Sequence, residues 1–312
     1  MTAYIIRRLI YTVPIVAGVL LLTFVLFSMV GGDISLEIAG KNANQETINE
    51  IRHEYGLDKP LFFSWDSQFV NHFKSAMTFD FGRARDREPV IDKIKRGIAP
   101  SLSIAVPMFL GVVFISISLA LLVAFVRGSA WDTVTVFICV AGMSIPYLSF
   151  ILFGQYFFAY KWSFFPIYFT PGLKMYQYAT LPVLIGIVTG LGSDLRFYRT
   201  VMLDEMKNDY VRTAFAKGLS TRKVLFKHVL KNAMIPIITT VVLAIPYLFL
   251  GSLLLERFFG IPGLGYLMIE AIGSRDYFII NAMTYISAIL FVLFNLITDI
   301  CYALVDPRVS LD

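Results

Sequence analysis

The chain is built from long apolar runs separated by polar segments. A helix needs about 20 consecutive apolar residues to cross a bilayer. Six runs come near that length: 9–30, 100–126, 133–159, 178–198, 233–255 and 282–304. Transmembrane barrel strands are only about 10 residues long and alternate apolar with polar positions, which these runs do not. The pattern therefore predicts an all-α integral membrane protein with six transmembrane helices.

Composition agrees with a membrane protein. Hydrophobic residues make up 57% of the 312 positions, and the mean hydropathy is +0.70, which is too apolar for a soluble domain. The spans divide the chain into an N-terminal anchor helix (1–30), an external insert (31–99), a core domain (100–305) with a cytoplasmic loop (199–232), and a cytoplasmic tail (306–312). The first run follows two arginines, as in a signal peptide, but no small-residue cleavage motif follows it, so we expect a retained anchor.

Basic residues predict the orientation of the spans. The segment 196–231 carries nine Lys and Arg, whereas the short loops on the opposite side carry only Lys161, Lys174, Arg257 and Arg275. Short loops rich in Lys and Arg remain in the cytoplasm. We therefore expect the basic segment and both termini to be cytoplasmic. The net charge of +5 follows from this topology, and it needs no nucleic-acid partner to explain it.

The basic segment contains two predicted short helices. Asp209 is a candidate N-cap for the first, in which Val211, Ala214 and Phe215 recur at helical spacing. Gly218 suits the left-handed position that ends such a helix. Ser220 or Thr221 then caps the second helix, which enters the next span at Pro236. Two interpretations remain open: a docking surface for a cytoplasmic partner, or an amphipathic segment lying on anionic lipid.

A second structured segment is expected on the external side. Gly260, Pro262, Gly263 and Gly265 predict a tight turn before a short helix from Leu264 to Ile272. The apolar face of that helix, Leu264, Leu267 and Met268, is expected to cover the outer mouth of a pathway. A plain surface loop is the alternative.

Polar residues inside the predicted spans are candidates for function. Gln155, Asn281 and Asn295 are the candidates for a translocation path. Asp194 and Asp299 lie near the cytoplasmic ends of spans, where pairing with Arg196 or Arg199 is the simpler interpretation. Pro100, Pro107 and Pro146 favour kinks.

Catalytic and metal-binding motifs are absent from the sequence. It contains no phosphate-binding loop, no HExxH and no GxSxG. His53, His72 and His228 are far apart in the sequence, and Cys139 and Cys301 fall inside spans, where we expect them to be packing residues. We therefore expect a chain without catalytic residues and without a metal site.

Several stretches resemble one family. The segments Tyr210–Leu219 and Lys227–Ala233 resemble the cytoplasmic EAA loop of bacterial ABC importer permeases, in the dipeptide, oligopeptide and nickel branch. Tyr55–Pro60, Phe259–Gly265 with Arg275–Tyr277, and Tyr302–Arg308 resemble the same branch. The long insert after the first span is similar to that of the B-type subunit. Arg212 replaces the glutamate that names the loop, and Phe79–Gly82 departs from an external Gly-Asp-Phe-Gly pattern.

The resemblance implies a function and a set of partners. It implies a type I ABC importer permease fold, a heterodimer with a second homologous permease, two cytoplasmic ABC ATPases that hold ATP and magnesium, an external substrate-binding protein, and the bacterial inner membrane. The ATPase-coupling residues would be Val211, Arg212, Ala214, Phe215, Lys217 and Gly218. The external gate or binding-protein contact would be Gly260, Pro262, Gly263, Leu264 and Gly265.

The predicted function is therefore that of a permease subunit for di- or oligopeptides. The chain itself is expected to bind no cofactor. A nickel or metal chelate, or another small solute, is the alternative substrate within the family. Outside the family, the alternatives are an ion-coupled secondary transporter, which would place paired ionisable groups near the midplane, and a membrane scaffold that transports nothing.

Overall fold

The computed structural model describes residues 2–26, 28, 34–39 and 43–305. The predicted end of the first span at Gly31–Asp33, the tail 306–312, and the side chains of Asp299 and Cys301 lie outside the described part. Within it, the secondary structure is helical apart from one isolated bridge between Arg83 and Pro89.

The helices follow in chain order. Their bounds are α1 Thr2–Val25, α2 Ile34–Ala39, α3 Gln45–Glu54, α4 Gln68–Thr78, α5 Val90–Phe125, α6 Ala130–Ser144, α7 Tyr147–Gly154, α8 Met175–Glu205, α9 Asp209–Ala216, α10 Thr221–Val224, α11 Leu230–Leu250, α12 Leu253–Phe259, α13 Leu264–Ser274 and α14 Tyr277–Val305. Single π-helical segments extend α7 over Gln155–Lys161 and join α10 to α11 over Leu225–Val229.

Most predicted spans coincide with long apolar helices. In the described residues, four continuous helices are long and apolar enough to cross a membrane: Val90–Phe125, Met175–Glu205, Thr221–Leu248 and Tyr277–Thr298. The pair α6 and α7 makes a fifth, bent, candidate, and α1 contributes the shorter apolar stretch Ile10–Val25. The fifth span is longer than its apolar run, because the helix already begins at Thr221 in the basic segment.

The third predicted span is not one continuous helix. Its two halves, Ala130–Ser144 and Tyr147–Lys161, meet at an angle of 92°. Pro146 explains the break, because a proline pushes the preceding residue out of the helical region. Ile145 accordingly has an extended backbone, with φ −88° and ψ 126°.

Helices α5 and α8 pack closely through glycine. A Cβ atom added to Gly186 would lie 2.0 Å from Met108 Sδ, and one added to Gly190 would lie 2.8 Å from Val112 Cγ2. Small residues in the fourth span thus allow the two helices to approach closely. This pair forms the centre of the molecule.

The insert packs on the spans. Asn44 caps α3, since its side chain accepts a hydrogen bond from Thr47 N at 2.9 Å. Ser67 is the N-cap of α4, and its hydroxyl accepts from Val70 N. Phe24 of α1 contacts Phe69 of α4 with ring centroids 5.3 Å apart. The insert thus lies against α1.

Candidate functional site

The basic segment 196–231 contains the predicted pair of short helices. Helix α9 begins one residue earlier than a cap at Asp209 requires: Asn208 is the N-cap, and Asp209 is the first helical residue. The helix ends at Lys217, and Gly218 follows with φ +77°, the left-handed conformation predicted for it. Ser220 then caps α10. We call residues 208–220 the elbow.

One face of the elbow is buried within the chain itself. Val211 is 1% exposed and Ala214 is 4% exposed. Both belong to a core cluster with Met202 of α8 and with Val224 and Leu225 at the start of the fifth span. The burial of Val211 therefore needs no partner protein, because α8 and α10 already cover it.

The opposite face of the elbow is open. Phe215 is 42% exposed, although its spacing groups it with Val211 and Ala214. Arg212 pairs with Asp209 at 3.5 Å on the surface, and such exposed pairs add little stability. Lys217 and Gly218 are also exposed. The elbow thus presents an aromatic ring between two basic side chains.

A partly buried ion pair joins α8 to α6. Arg199 Nε donates to Asp132 Oδ1 at 2.7 Å, and an Arg199 terminal nitrogen donates to Asp132 Oδ2 at 2.9 Å. Gly128 N donates to the same carboxylate at 3.1 Å. Sequence reasoning missed Asp132 and assigned Arg199 or Arg196 to Asp194. That pairing is wrong for Arg199, and Asp194 instead accepts from Ser193 Oγ at 3.4 Å.

At the far end of the fifth span, a buried carboxylate organises the segment that the sequence predicts to be external. Glu256 of α12 is 0% exposed, as is Ser101 of α5. Ser101 Oγ donates to Glu256 Oε1 at 2.7 Å and accepts from Leu264 N at 2.7 Å. Glu256 also accepts from Ser252 N at 3.0 Å and from Tyr266 N at 3.1 Å. The two side chains therefore cap the first turn of α13, whose N–H groups have no partner within their own helix.

Three glycines make room for this carboxylate and its helices. A Cβ atom at Gly251 would lie 2.5 Å from Glu256 Oε1, and one at Gly263 would lie 2.3 Å from Glu256 Oε2. A Cβ at Gly265 would lie 2.8 Å from Leu253 N. We call Ser101, Glu256 and these three glycines the external node.

The predicted external residues divide between this node and the surface. Helix α13 runs from Leu264 to Ser274, which confirms the predicted short helix. Gly260 ends α12 in the left-handed conformation with φ +64°, and Pro262 is exposed. Leu264, Leu267 and Met268 pack with Ile94 and Met283 in a core cluster of α5, α13 and α14. Their role at a pathway mouth stays a prediction.

The three path candidates do not come together. Gln155 Nε2 donates to the carbonyls of Ile167 at 2.9 Å and Phe258 at 3.0 Å, so it holds the external segments in place. Asn281 Nδ2 contacts His72 Nδ1 at 3.2 Å. Asn295 lines a separate cleft of about 230 Å³ with Tyr11 of α1.

Comparison with known proteins identifies the family. The model of the binding-protein-dependent transport system inner membrane component matches residues 116–311. A second model, for the N-terminal part of a binding-protein-dependent transport system membrane component, matches residues 1–93. The chain belongs to the binding-protein-dependent transport system inner membrane component family. It is accordingly a multi-pass permease subunit with the all-α fold of a type I ABC importer permease.

Several named relatives align along almost the whole permease. The glutathione transport system permease protein GsiC of Shigella flexneri serotype 5b (strain 8401) is 33% identical over 310 residues, which cover 99% of each chain. GsiC of Escherichia coli (strain K12) is 32% identical over 310 residues, with the same coverage. The probable peptide ABC transporter permease protein y4tP of Sinorhizobium fredii (strain NBRC 101917 / NGR234) is 32% identical over 315 residues, again covering 99% of each.

In this permease, a cleft lies at the bend of the third span. It is bordered by α8 and the fifth span, the two helices against which the elbow packs. Its volume is about 730 Å³. Its walls come from α5, from the bend at Ile145–Tyr147, from α8 at Gly186–Gly190 and from the end of α11 at Ala244–Ser252. None of the three path candidates lines it. The sequence signals that could have indicated this cleft are Pro146 and the glycines of α8.

Proposed function

We propose that this permease is one transmembrane half of an ATP-driven importer of small peptides. The substrate class rests on the names of the relatives, which are glutathione and peptide permeases. The coupling role rests on one observation: the elbow is buried on one face against α8 and the fifth span, and open on the other. Because the apolar face of α9 already packs against the chain itself, it is not free to insert into lipid, and the exposed ring with its two exposed cations favours a docking surface.

The proposed assembly follows the implied family pattern. Its other members are a second homologous permease, two cytoplasmic ABC ATPases and an external substrate-binding protein. ATP and magnesium belong to the ATPases, and this chain supplies no cofactor site. We place it in the bacterial inner membrane, with both termini and the elbow in the cytoplasm and the insert outside.

The elbow's packing gives a route for transmission. Because Val211 and Ala214 pack against both Met202 of α8 and Val224 of the fifth span, a displacement of α9 must move both helices. The same two helices form walls of the 730 Å³ cleft. Closure of an ATPase dimer against the elbow would therefore change the shape of that cleft, which we propose as part of the translocation path.

At the other end of the fifth span, we propose an external gate formed by Gly260–Gly265 with α13. The external node joins these residues to α5 and to the end of the fifth span. Movement of the spans would therefore also move α13, near which the substrate-binding protein would dock.

Topology is the first prediction. A single cysteine at Lys74 in the insert should react with a membrane-impermeant maleimide in intact cells, whereas Lys223→Cys should react only after permeabilisation. Both positions are exposed, so the accessibility of the side chain does not distinguish them. Labelling of Lys223→Cys from outside would contradict the orientation.

The second prediction tests the elbow. Gly218→Val should abolish substrate-stimulated ATP hydrolysis and uptake together in proteoliposomes containing the full transporter and its binding protein. A Cβ at Gly218 meets nothing within 4 Å, so the defect would come from the backbone: φ is +77°, and a side chain there costs about 1–2 kcal/mol. That is enough to displace α9 but small beside the packing of the spans. Phe215→Ala should show a milder form of the same defect.

Gly128→Val is the matched control. Gly128 has φ +79° with nothing within 4 Å of an added Cβ, and its loop lies on the same side of the membrane as the elbow. It carries the same backbone strain without belonging to the elbow, so its transport should stay near wild type. Full transport by Gly218→Val at normal expression would favour the lipid-surface interpretation instead.

The substrate class has its own test. Mass spectrometry of the ligand that copurifies with the cognate binding protein should find a short peptide. A metal chelate there would support the alternative substrate. Copurification of ATPase subunits with this chain would exclude an ion-coupled secondary transporter.

A further inference from the structure

A second cavity lies between the insert and the spans, apart from the proposed path. Its volume is about 340 Å³, within the usual range for small-molecule sites. Its walls come from the C-terminal part of α1, the end of α3 with the turn after it, α4, the segment Phe81–Gly82 and the first turns of α14. Among the described residues, it shares no lining residue with the 730 Å³ cleft.

Two polar side chains in its wall have hydrogen-bonding capacity that the fold does not use. Asn281 Nδ2 lies 3.2 Å from His72 Nδ1, so Nδ1 is the acceptor and the imidazole proton sits on Nε2. His72 Nε2 and Asn281 Oδ1 are both buried without a hydrogen-bond partner. Burial lowers the pKa of His72, so the ring stays neutral at pH 7. A ligand that draws these side chains toward the cavity would use one donor and one acceptor.

The charge at the cavity is negative. Glu54 is the only charged residue among the described residues that line it. Its effect reaches the neighbouring phenol: burial and then the charge of Glu54 raise the pKa of Tyr55, and they outweigh the opposite effects of Arg87 and Arg83. The site therefore favours a cation.

Aromatic rings complete the wall. Tyr55 and Phe278 have ring centroids 5.1 Å apart, and Phe81 and Tyr285 have centroids 6.0 Å apart. All four line the cavity. Ring faces attract cations within about 6 Å, so rings and a carboxylate at one cavity suit an ammonium group.

We infer that this cavity binds the protonated primary amine of a small molecule that carries a hydrogen-bond-accepting oxygen close to the amine. The ammonium group pairs with Glu54 and contacts the rings, while the nearby oxygen accepts from His72 Nε2. Two sources share this chemistry: the ethanolamine headgroup of a phospholipid, and a soluble amine such as the amino-terminal end of a short peptide. The site lies outside the proposed translocation path. A negative result in the binding test would therefore leave the proposed transport function intact.

Binding can be measured on the whole transporter without ATP. We would place the transporter in nanodiscs of phosphatidylcholine and phosphatidylglycerol, because neither headgroup carries a primary amine. Ethanolamine and dialanine would be titrated with saturation-transfer NMR as the readout. Both should bind, whereas N-acetylethanolamine, which lacks the charge, should not.

The test substitution and its control both lie in α3. Glu54→Gln should weaken amine binding about ten-fold or more, because the negative charge opposite the ammonium is lost and only a neutral amide oxygen remains as the acceptor. Glu50→Gln lies four residues earlier in α3, is exposed and does not line the cavity, so it should bind as wild type. An equal effect of the two substitutions would overturn the assignment, as would binding of N-acetylethanolamine with the same affinity.

Discs containing phosphatidylethanolamine distinguish the two sources. If the lipid occupies the site, the soluble amines should bind more weakly in these discs, and native mass spectrometry should find phosphatidylethanolamine retained by wild type but not by Glu54→Gln. If a soluble amine is the ligand, its affinity should be the same in both discs. Absence of amine binding together with absence of Glu54-dependent lipid retention would refute the site.

Discussion

Replacing Gly263 with valine should abolish uptake. The added Cβ would lie 2.3 Å from Glu256 Oε2 and 2.4 Å from Ser101 Oγ, so the carboxylate and the hydroxyl could not both remain in place. Overpacking of this kind costs about 1–3 kcal/mol, and the strain falls on the bonds that cap α13. We expect at least a ten-fold loss of peptide uptake in proteoliposomes, with assembly with the second permease retained.

Gly273→Val is the control for this substitution. Gly273 lies in the same helix, and a Cβ there meets nothing within 4 Å, so uptake should stay near wild type. Copurification of the partner subunits would confirm assembly of both variants. Wild-type uptake by Gly263→Val would rule out the proposed external gate.

Glu256→Ala should be the most destabilising single substitution of the external node. It would leave Ser101 Oγ and the N–H groups of Ser252 and Tyr266 buried without their acceptor. Each unpaired buried group costs about 1–3 kcal/mol, and the first turn of α13 would lose its cap. We expect a clearly lower thermal unfolding midpoint in detergent and loss of uptake.

Glu270→Ala provides the comparison. Glu270 is an exposed carboxylate of α13, so its loss should leave the midpoint within about 1 °C of wild type, since surface substitutions usually change stability by less than 0.5 kcal/mol. Glu256→Gln should fall between the two, because the amide keeps one acceptor oxygen for the surrounding donors. If Glu256→Ala and Glu270→Ala had equal thermal unfolding midpoints, Glu256 would not be the cap of α13.

Local features of the fold followed from the sequence. The apolar runs predicted the long helices, because a bilayer imposes both their length and their composition. Gly218 adopts its predicted left-handed conformation, and Asn44 caps α3, because turns and caps depend on neighbouring residues. The family resemblance was likewise readable, since it depends on residue types along the chain.

The sequence did not show which face of a helix is buried or which distant residues pair with each other. Spacing groups Phe215 with Val211, yet Val211 is buried and Phe215 is half-exposed, because the directions from which α8 and α10 approach select the buried face. Asp132 and Arg199 are 67 positions apart in the chain, and no local pattern favours their pairing over that of Asp194 with Arg199.

The sequence by itself determined the class, the helices and the family of this permease, because bilayer thickness, helix periodicity and turn chemistry act over short stretches. The tertiary structure alone decided the sites. Ser101 and Glu256, 155 positions apart, share a hydrogen bond, and the room for them comes from Gly251 and Gly263. A buried carboxylate is tolerated only where several donors converge on it, and only the packing of α5, α12 and α13 brings those donors together.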